Sequence, residues 1–286
     1  MSYVVTASSG QLGRHVVRSL LRRGVAAAEI VATARNVAAI EDLAALGVRV
    51  RRLDYAEPSS IDGAFAVGDR VLLISGTAFG ERVGQHSNVI RAASEAGVEL
   101  LAYTSAPYAD TTSMLLAQEH LGTEQVLIAS GLPYSLLRNG WYTENYAGAV
   151  AGALEQGAVV GATGGGRISS AARADFAEAA AVVLAGPGHE GSAYELGGDS
   201  GFTLAELADE VGRLSSREIG HRDVSVAELE QILEGAGVPA PVAAVLADVD
   251  RAIGKGELSI DSGDLSRLIG RPTTPWQDTV AGLLPG

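Results

Sequence analysis

Two glycines near the start of the chain have the spacing of a phosphate-binding turn. The segment from Val4 to His15 reads as a short apolar strand, a tight turn with Gly10 and Gly13, and the start of a helix. Gly10 would let the backbone approach a pyrophosphate, and Gly13 would let the helix pack close to the sheet. The free N–H groups that open the helix would face the phosphates, so this segment predicts a dinucleotide site. Its predicted contacts are Ala7, Ser8, Ser9, Gly10, Gln11 and Leu12.

A second signal comes from Arg35, which directly follows the second predicted strand. NAD-specific proteins tend to carry an acidic residue here, where it binds the ribose hydroxyls. A guanidinium at this place can instead bind the extra 2′-phosphate, so Arg35 predicts a preference for NADPH. An arginine in a loop is usually a solvated surface residue. We favour the functional interpretation because Arg35 ends the strand whose tip meets the adenosine ribose.

Polar and aromatic residues also follow the later predicted strands. Ligands of open α/β sheets lie beyond the carboxyl ends of the strands. The residues at these ends are Asp54, Tyr55, Ser75 to Phe79, Tyr103, Thr104, Ser105 and Asn139 to Tyr142. Phe79, Trp141 and Tyr142 would form an aromatic wall for a substrate, and core packing is an equally good interpretation of Trp141 and of Tyr142.

Several kinds of chemistry are excluded by composition. The chain has no cysteine, which removes thiolate nucleophiles, disulfides and iron–sulfur ligands. Its five histidines are scattered without paired ligand spacing, so we expect no metal. Ser8 and Ser9 lack a nucleophile-elbow motif. A net charge of −13 argues against nucleic acid as a partner.

The elements that must position these residues follow from the hydrophobic pattern. Short β-branched runs alternate with helical segments, three of which close at Gly24, Gly47 and Gly97. Glycine suits the left-handed residue that ends a helix. The alternation predicts an α/β fold with a Rossmann-type doubly wound parallel sheet.

The alternation of apolar runs and helical segments changes after Asn139, where glycine-rich stretches separate shorter helical segments. We therefore predict a dinucleotide-binding domain over residues 1–139 and a smaller substrate-binding cap over 140–286, with a strand near 192–198 returning to the main sheet. No apolar run is long enough to cross a bilayer and the start of the chain lacks a leader pattern, so we expect no membrane insertion and a cytoplasmic location.

Four segments carry a resemblance to a known family, namely Ser8 to Gly13, Ala34 to Asn36, Ala102 to Ser105 and Leu136 to Asn145. Together they resemble the NmrA-like atypical short-chain dehydrogenases. Within that group the chain looks most like the type 2 bacterial NAD(P)H:quinone oxidoreductases, with triphenylmethane reductase a near relative. One departure is Ala7, where the family usually has glycine. The resemblance implies that the nicotinamide end of NADPH contacts Thr77, Ala78, Phe79, Asn139, Gly140, Trp141, Tyr142, Thr143 and Glu144.

The resemblance implies hydride transfer from NADPH to a quinone, although the usual dehydrogenase dyad is absent. That dyad is a tyrosine followed four residues later by a lysine that lowers the phenol pKa. Lys255 is the only lysine, and no tyrosine has this spacing to it. A quinone accepts hydride readily, so orientation would suffice. His120 and Tyr108 are weak candidates for assisting with a proton, because a lone histidine on a helix is more often packed or solvated.

Two alternatives stay open at this point. An NmrA-like regulator could bind NADP(H) as a redox signal without turnover, and a reductase could use another conjugated acceptor such as a triphenylmethane dye. The predicted partners are a small-molecule acceptor and, at most, a second copy of the chain, since both a monomer and a homodimer are compatible with the sequence.

Overall fold

Strands and helices alternate through most of the chain, as the apolar runs predict. A computed structural model describes residues 1–285. The strands are β1 Tyr3–Val5, β2 Ile30–Ala34, β3 Arg49–Arg52, β4 Arg70–Leu73, β5 Leu100–Ser105, β6 Tyr134–Asn139, β7 Ala158–Gly161, β8 Ser192–Leu196 and β9 Gly220–Asp223. The helices of the first part are α1 Gln11–Arg22, α2 Glu41–Ala44, α3 Pro58–Ile61, α4 Arg82–Ala96 and α5 Leu115–Ala129. Those that follow are α6 Ala147–Gln156, α7 Arg173–Ala185, α8 Leu204–Ser215, α9 Val226–Gly235, α10 Ala240–Gly254, α11 Asp264–Ile269 and α12 Trp276–Ala281.

The main sheet has seven parallel strands in the order β3, β2, β1, β4, β5, β6, β8. Tyr3 of β1 lies opposite Ile30 on one side and Arg70 on the other, so the order of the strands reverses at β1. The strands β4 and β5 are buried along their whole length, as expected for a parallel sheet covered on both faces. This confirms the predicted doubly wound fold and places the switch point beside the glycine turn.

Two hydrophobic layers cover the faces of the sheet. On one face α1 and α7 pack against each other and against the strands, with Val16, Leu20 and Phe176 fully buried. On the other face α4 and α5 bury Val89, Ile90 and Leu127. The carboxyl ends of the strands stay free at one edge, where a ligand can reach them.

The helix-ending glycines have the predicted backbone conformation. Gly24, Gly47 and Gly97 have φ angles of 86°, 84° and 67°, which are left-handed values that glycine adopts without strain. The helices α1 and α4 begin several residues before the apolar segments from which they were predicted. The segment that ends at Gly47 is only a 3₁₀ turn over Val37–Ile40 followed by the short α2.

The third strand has a different environment from the one that the sequence predicts. The apolar pattern of residues 48–50 suggested a strand buried on both faces, but β3 is an edge strand in which Arg49, Val50 and Arg52 are exposed. Its three arginines explain the difference, because guanidinium groups are costly to bury without partners.

The later part of the chain forms a second layer beyond the carboxyl edge of the main sheet. The parallel pair β7 and β9 packs with α6, α8 and α10 around a separate apolar core that includes Phe202 and Trp276. The strand β8, the helix α7 and the helix α11 instead belong to the main sheet and its cover. The division at residue 139 stays a prediction. Over residues 1–285, no helix has both the length and the hydropathy to cross a membrane.

Candidate functional site

A cleft of about 710 Å³ lies at the carboxyl edge of the main sheet, between the strand ends and the later layer. The structure brings most of the predicted site residues to its walls. These are Ala7, Ser9, Gly10, Gln11, Leu12, Arg35, Ser75, Thr77, Ala78, Phe79, Thr104, His120, Asn139, Gly140, Trp141 and Tyr142. Asp54, Tyr55 and Ser105 also line it, whereas Tyr103 lies behind the wall. Their roles as ligands stay predictions.

Besides Tyr103, four predicted residues do not reach the cleft. The Ser8 hydroxyl turns back into the turn and donates to Val5 O at 2.8 Å. Thr143 is fully buried and shares a hydrogen bond with Ser170 at 2.7 Å. The Glu144 carboxylate caps the start of α7 by accepting from the Arg173 N–H. Ser8 and Glu144 bond to backbone groups and Thr143 bonds to a side chain, so none of the three lines the cleft wall, and their roles as ligands stay predictions.

Tyr108, the fourth, lies outside the cleft wall. Its backbone has a φ of 49°, and its N–H donates to Glu195 Oε2 at 2.9 Å. The structure does not bring Tyr108 to the cleft wall, and its role as a proton donor stays a prediction.

The glycine turn is built as tightly as the sequence predicts. A Cβ on Gly13 would lie 2.7 Å from Ser8 Cα and 2.9 Å from Ala7 O, closer than side-chain contacts allow. The first helical hydrogen bond of this turn runs from the Arg14 N–H to Gly10 O at 3.2 Å. The preceding N–H groups of α1 therefore open toward the cleft without helical partners, which is the arrangement that binds phosphate.

Ala7 is strained where the family usually has glycine. Its φ is 49°, a region that costs a residue with a Cβ about 1 kcal/mol or more. We expect Ala7→Gly to raise the free energy of unfolding by up to about 1 kcal/mol, measured by urea denaturation. Ala39→Gly, in an ordinary 3₁₀ turn, should lower it and serves as the control. A loss of stability in Ala7→Gly would contradict the assigned strain.

Arg35 extends from the end of β2 to the cleft and is exposed. Within the part of the chain that the structure describes, its guanidinium has no ion-pair partner, unlike the neighbouring Arg14, which pairs with Asp42. A free guanidinium at this strand tip is available to a phosphate.

Two side chains of α4 hold the loop that follows β4 by hydrogen bonds. The Gly76 N–H donates to His86 Nε2 at 3.0 Å, and Arg82 Nε donates to Gly76 O at 2.8 Å. His86 Nδ1 lies 3.0 Å from Thr123 Oγ1, which itself donates to Glu119 O. His86 therefore carries its proton on Nδ1. Both polar groups of the Gly76 backbone are fixed, so the loop that carries Thr77, Ala78 and Phe79 is pre-positioned.

Two buried histidines should make stability depend on pH. Burial, followed by the charge of Arg82, lowers the pKa of His86 to about 3 and that of His120 to about 3, against about 6.5 in an unfolded chain. Between these values the unfolded chain binds more protons, so stability rises with pH and is lost as pH falls below 6.5. We expect up to about 1.4 kcal/mol per pH unit from each histidine.

The measurement is urea denaturation from pH 5 to pH 7, above the range in which most carboxylates titrate. His86→Gln should give a shallower slope over this window, because one of the two histidines no longer titrates. Burial raises the pKa of Asp250 to about 6, which acts in the opposite sense in part of this window, so the contradicting result is an equal slope for wild type and His86→Gln.

The segment after β6 forms the opposite wall. Asn139 Nδ2 donates to Tyr142 Oη at 3.2 Å, while Asn139 Oδ1 is buried without a partner in the described residues. Tyr142 packs edge-on against Phe176, with ring centroids 5.2 Å apart. Gly140 is required because a Cβ would lie 2.8 Å from Ile260 Cδ1 and from Leu196 O.

Sequence reasoning missed several residues of the cleft wall, some of them from distant elements. They are Leu53, Ala56, Ile74, Arg82, Gln85, Ala106, Pro107, Met114, Leu116, Asn145, Arg173 and Leu258. Arg173 stands at the start of α7, bonds to Gln11 Oε1 across the cleft, and lies 4.7 Å above the centroid of the Tyr142 ring. Its position beside a helix N-terminus on another element was not visible in the local pattern. The described residues contain no group of three or more histidine, aspartate or glutamate residues arranged to hold a metal.

Comparisons with known proteins found similar sequences and structures. Residues 8–187 match a family model described as NAD(P)H-binding. The chain is 46% identical over 279 residues to quinone oxidoreductase 2 of Escherichia coli, covering 98% of this chain and 97% of the relative.

Two solved structures are similar over nearly the whole chain. The NADPH-dependent quinone oxidoreductase of Escherichia coli, complexed with NADPH, superimposes with a TM-score of 0.94 at 46% identity, covering 98% of this chain and 99% of that one. The triphenylmethane reductase of Citrobacter, complexed with NADP(H), gives a TM-score of 0.93 at 40% identity, covering 99% and 100%.

Proposed function

Because the chain belongs to the NAD(P)H-binding NmrA-like family, we propose that it is an NADPH-dependent oxidoreductase that reduces quinones. The observation that carries this function is the identity of 46% with quinone oxidoreductase 2 over almost the full length of both chains. The aligned region covers 98% of this chain, so it extends through the later layer as well as the sheet.

The cleft fits a bound NADPH at both ends. The close backbone approach at Gly13 and the open N–H groups of α1 form a cradle for the pyrophosphate. Arg35 is free to bind the 2′-phosphate, and Arg173 stands over the start of α1, where a second guanidinium would meet the pyrophosphate. At the other end, Asn139 lies in the cleft wall, where the nicotinamide carboxamide would bind. When bound, the cofactor supplies the hydride.

The remaining space in the cleft is suited to a flat, uncharged acceptor. Its apolar walls come from Phe79, Met114, Leu116, Trp141 and Leu258. Phe79 is 42% exposed, so its ring stands free at the mouth. Apolar walls with a few polar groups are typical of sites that bind planar ligands. These residues orient the acceptor and exclude water.

A dye reductase is the second candidate, supported by the likeness to triphenylmethane reductase. Among the described residues of the cleft wall, Asp54 is the only acidic one, and it follows β3 on the adenosine side. A cationic dye would therefore meet no carboxylate near the nicotinamide end, so we place quinones first.

The test is the loss of NADPH absorbance with a naphthoquinone, run beside the same assay with a cationic triphenylmethane dye. Titrations of NADPH and NADH binding accompany both assays. We expect turnover with the quinone and a preference for NADPH. Tight NADPH binding with no turnover on either acceptor would overturn the enzyme assignment in favour of a redox-sensing regulator.

A further inference from the structure

His120 occupies the floor of the cleft, on the face of α5 that packs under β5. It is only 5% exposed, and it belongs to the cleft wall together with Met114 and Leu116 from the same region. Its Nδ1 lies 2.8 Å from the Tyr103 hydroxyl on β5. One ring nitrogen is thus directed into the protein and toward a single partner.

The Tyr103 hydroxyl indicates which nitrogen of His120 carries the proton. Tyr103 is fully buried, its hydroxyl lies 2.8 Å from His120 Nδ1, and it also interacts with the Thr123 side chain. Thr123 Oγ1 already lies 3.0 Å from the protonated His86 Nδ1 and donates its own hydrogen to Glu119 O, so His120 Nδ1 is the acceptor that has no other donor. The phenol therefore donates to Nδ1, and the proton of the ring is on Nε2.

The second nitrogen, His120 Nε2, has no partner in the described residues. This nitrogen is not fully enclosed by protein atoms. Because His120 lines the cleft, Nε2 reaches the open space of the cleft. Burial, then the charge of Arg82 and the neighbouring His86, lowers the pKa of His120 to about 3. The ring is therefore a neutral N–H donor at physiological pH. A neutral imidazole can polarise a carbonyl without transferring its proton.

We propose that His120 Nε2–H donates a hydrogen bond to the carbonyl oxygen of the acceptor, and that Tyr103 is the positioning residue that fixes this tautomer. The inference rests on the proposed function and names a catalytic residue for it. The reaction balances without a proton from histidine: quinone, NADPH and one proton from water give hydroquinone and NADP⁺. His120 stabilises the negative charge that develops on the oxygen and keeps its own proton.

The tautomer can be measured without any turnover. We expect ¹⁵N NMR of the wild-type protein to show one histidine, assigned by its loss in His120→Gln, with a protonated Nε2 and an unprotonated Nδ1 at neutral pH. A proton on Nδ1, or a doubly protonated ring, would overturn the proposal even if the enzyme reduces quinones.

The kinetic test compares His120→Phe with His120→Gln, whose amide can still donate near the position of Nε2. Loss of the donor in His120→Phe should lower kcat for a naphthoquinone about 10- to 100-fold and leave the Kd for NADPH within about 2-fold. His120→Gln should recover most of kcat. Equal kcat values for wild type and His120→Phe would contradict the proposal.

Two further variants separate chemistry from structure. Tyr103→Phe should lower kcat less than His120→Phe, because it removes the positioning group and leaves the donor. A Tyr103→Phe variant slower than His120→Phe would assign the chemistry to Tyr103 instead. His189→Phe breaks a similar contact, 2.7 Å to Tyr194 Oη, outside the cleft and should leave kcat unchanged. If the wild type itself shows no turnover, the proposed function fails. The NMR test of the tautomer does not depend on that result.

Discussion

Replacing Arg35 with alanine should weaken NADPH binding by about 1.5 to 3 kcal/mol, or roughly 10- to 150-fold in Kd, and leave NADH binding nearly unchanged. The reason is the position of Arg35 at the tip of β2, where its guanidinium is exposed and has no ion-pair partner in the described part of the chain. Charge-assisted hydrogen bonds to a 2′-phosphate would be lost in the variant, and NADH has no phosphate at this position.

The measurement is a fluorescence titration with each cofactor at fixed ionic strength. Arg49→Ala is the matched control, since Arg49 is exposed on β3, donates to Ser2 Oγ and lies outside the cleft wall. It removes the same charge, so any general effect of net charge appears in both variants. Equal weakening of NADPH and NADH by Arg35→Ala would contradict the role in phosphate binding.

A second large effect is expected on stability. Arg138 on β6 donates from Nε and Nη2 to the two oxygens of Glu124, at 3.0 and 2.8 Å. Its Nη1 reaches Asp110 and Glu195, and the Ser105 hydroxyl donates to Glu124. This network joins β5, β6, β8 and α5. We expect Arg138→Met to lower the free energy of unfolding by about 3 to 5 kcal/mol, because the buried Glu124 loses its counter-charge.

The control is the double variant Arg138→Met/Glu124→Leu, measured by the same urea denaturation. Removing both buried charges should restore roughly 2 kcal/mol relative to the single variant, since an apolar pair of similar volume carries no desolvation penalty. If the double variant is less stable than Arg138→Met alone, the cost does not come from an uncompensated carboxylate.

Local sequence patterns were sufficient to predict the main sheet and one side of the cleft. The glycine turn, Arg35 and the strand-end residues are each defined by a few neighbours in the chain, so spacing alone could predict where they lie. The same reasoning could not predict the contacts of the Ser8, Thr143 and Glu144 side chains, because a position in the right segment does not fix the direction of a side chain.

The other side of the cleft depends on contacts between distant parts of the chain. Arg173 meets Gln11, and Leu258 lies on the same wall as Met114, although each pair is separated by more than a hundred residues. His120 gains its partner only because α5 packs under β5 and brings it to Tyr103. A histidine in a helical pattern has the same appearance in the sequence whether it faces solvent or a buried phenol.

The two edge strands of the main sheet, β3 and β8, are protected against further strand pairing in different ways. A free strand edge can template pairing with another chain and so start aggregation. At β3, antiparallel addition of a second copy would bring Arg49, Arg51 and Arg52 against the same guanidinium groups. At β8 the Asp264 carboxylate and the Ser262 hydroxyl bond to the backbone N–H and C=O of Glu195, where an added strand would have to bind. Charge at one border and side-chain capping at the other thus oppose open-ended growth of the sheet at high protein concentration.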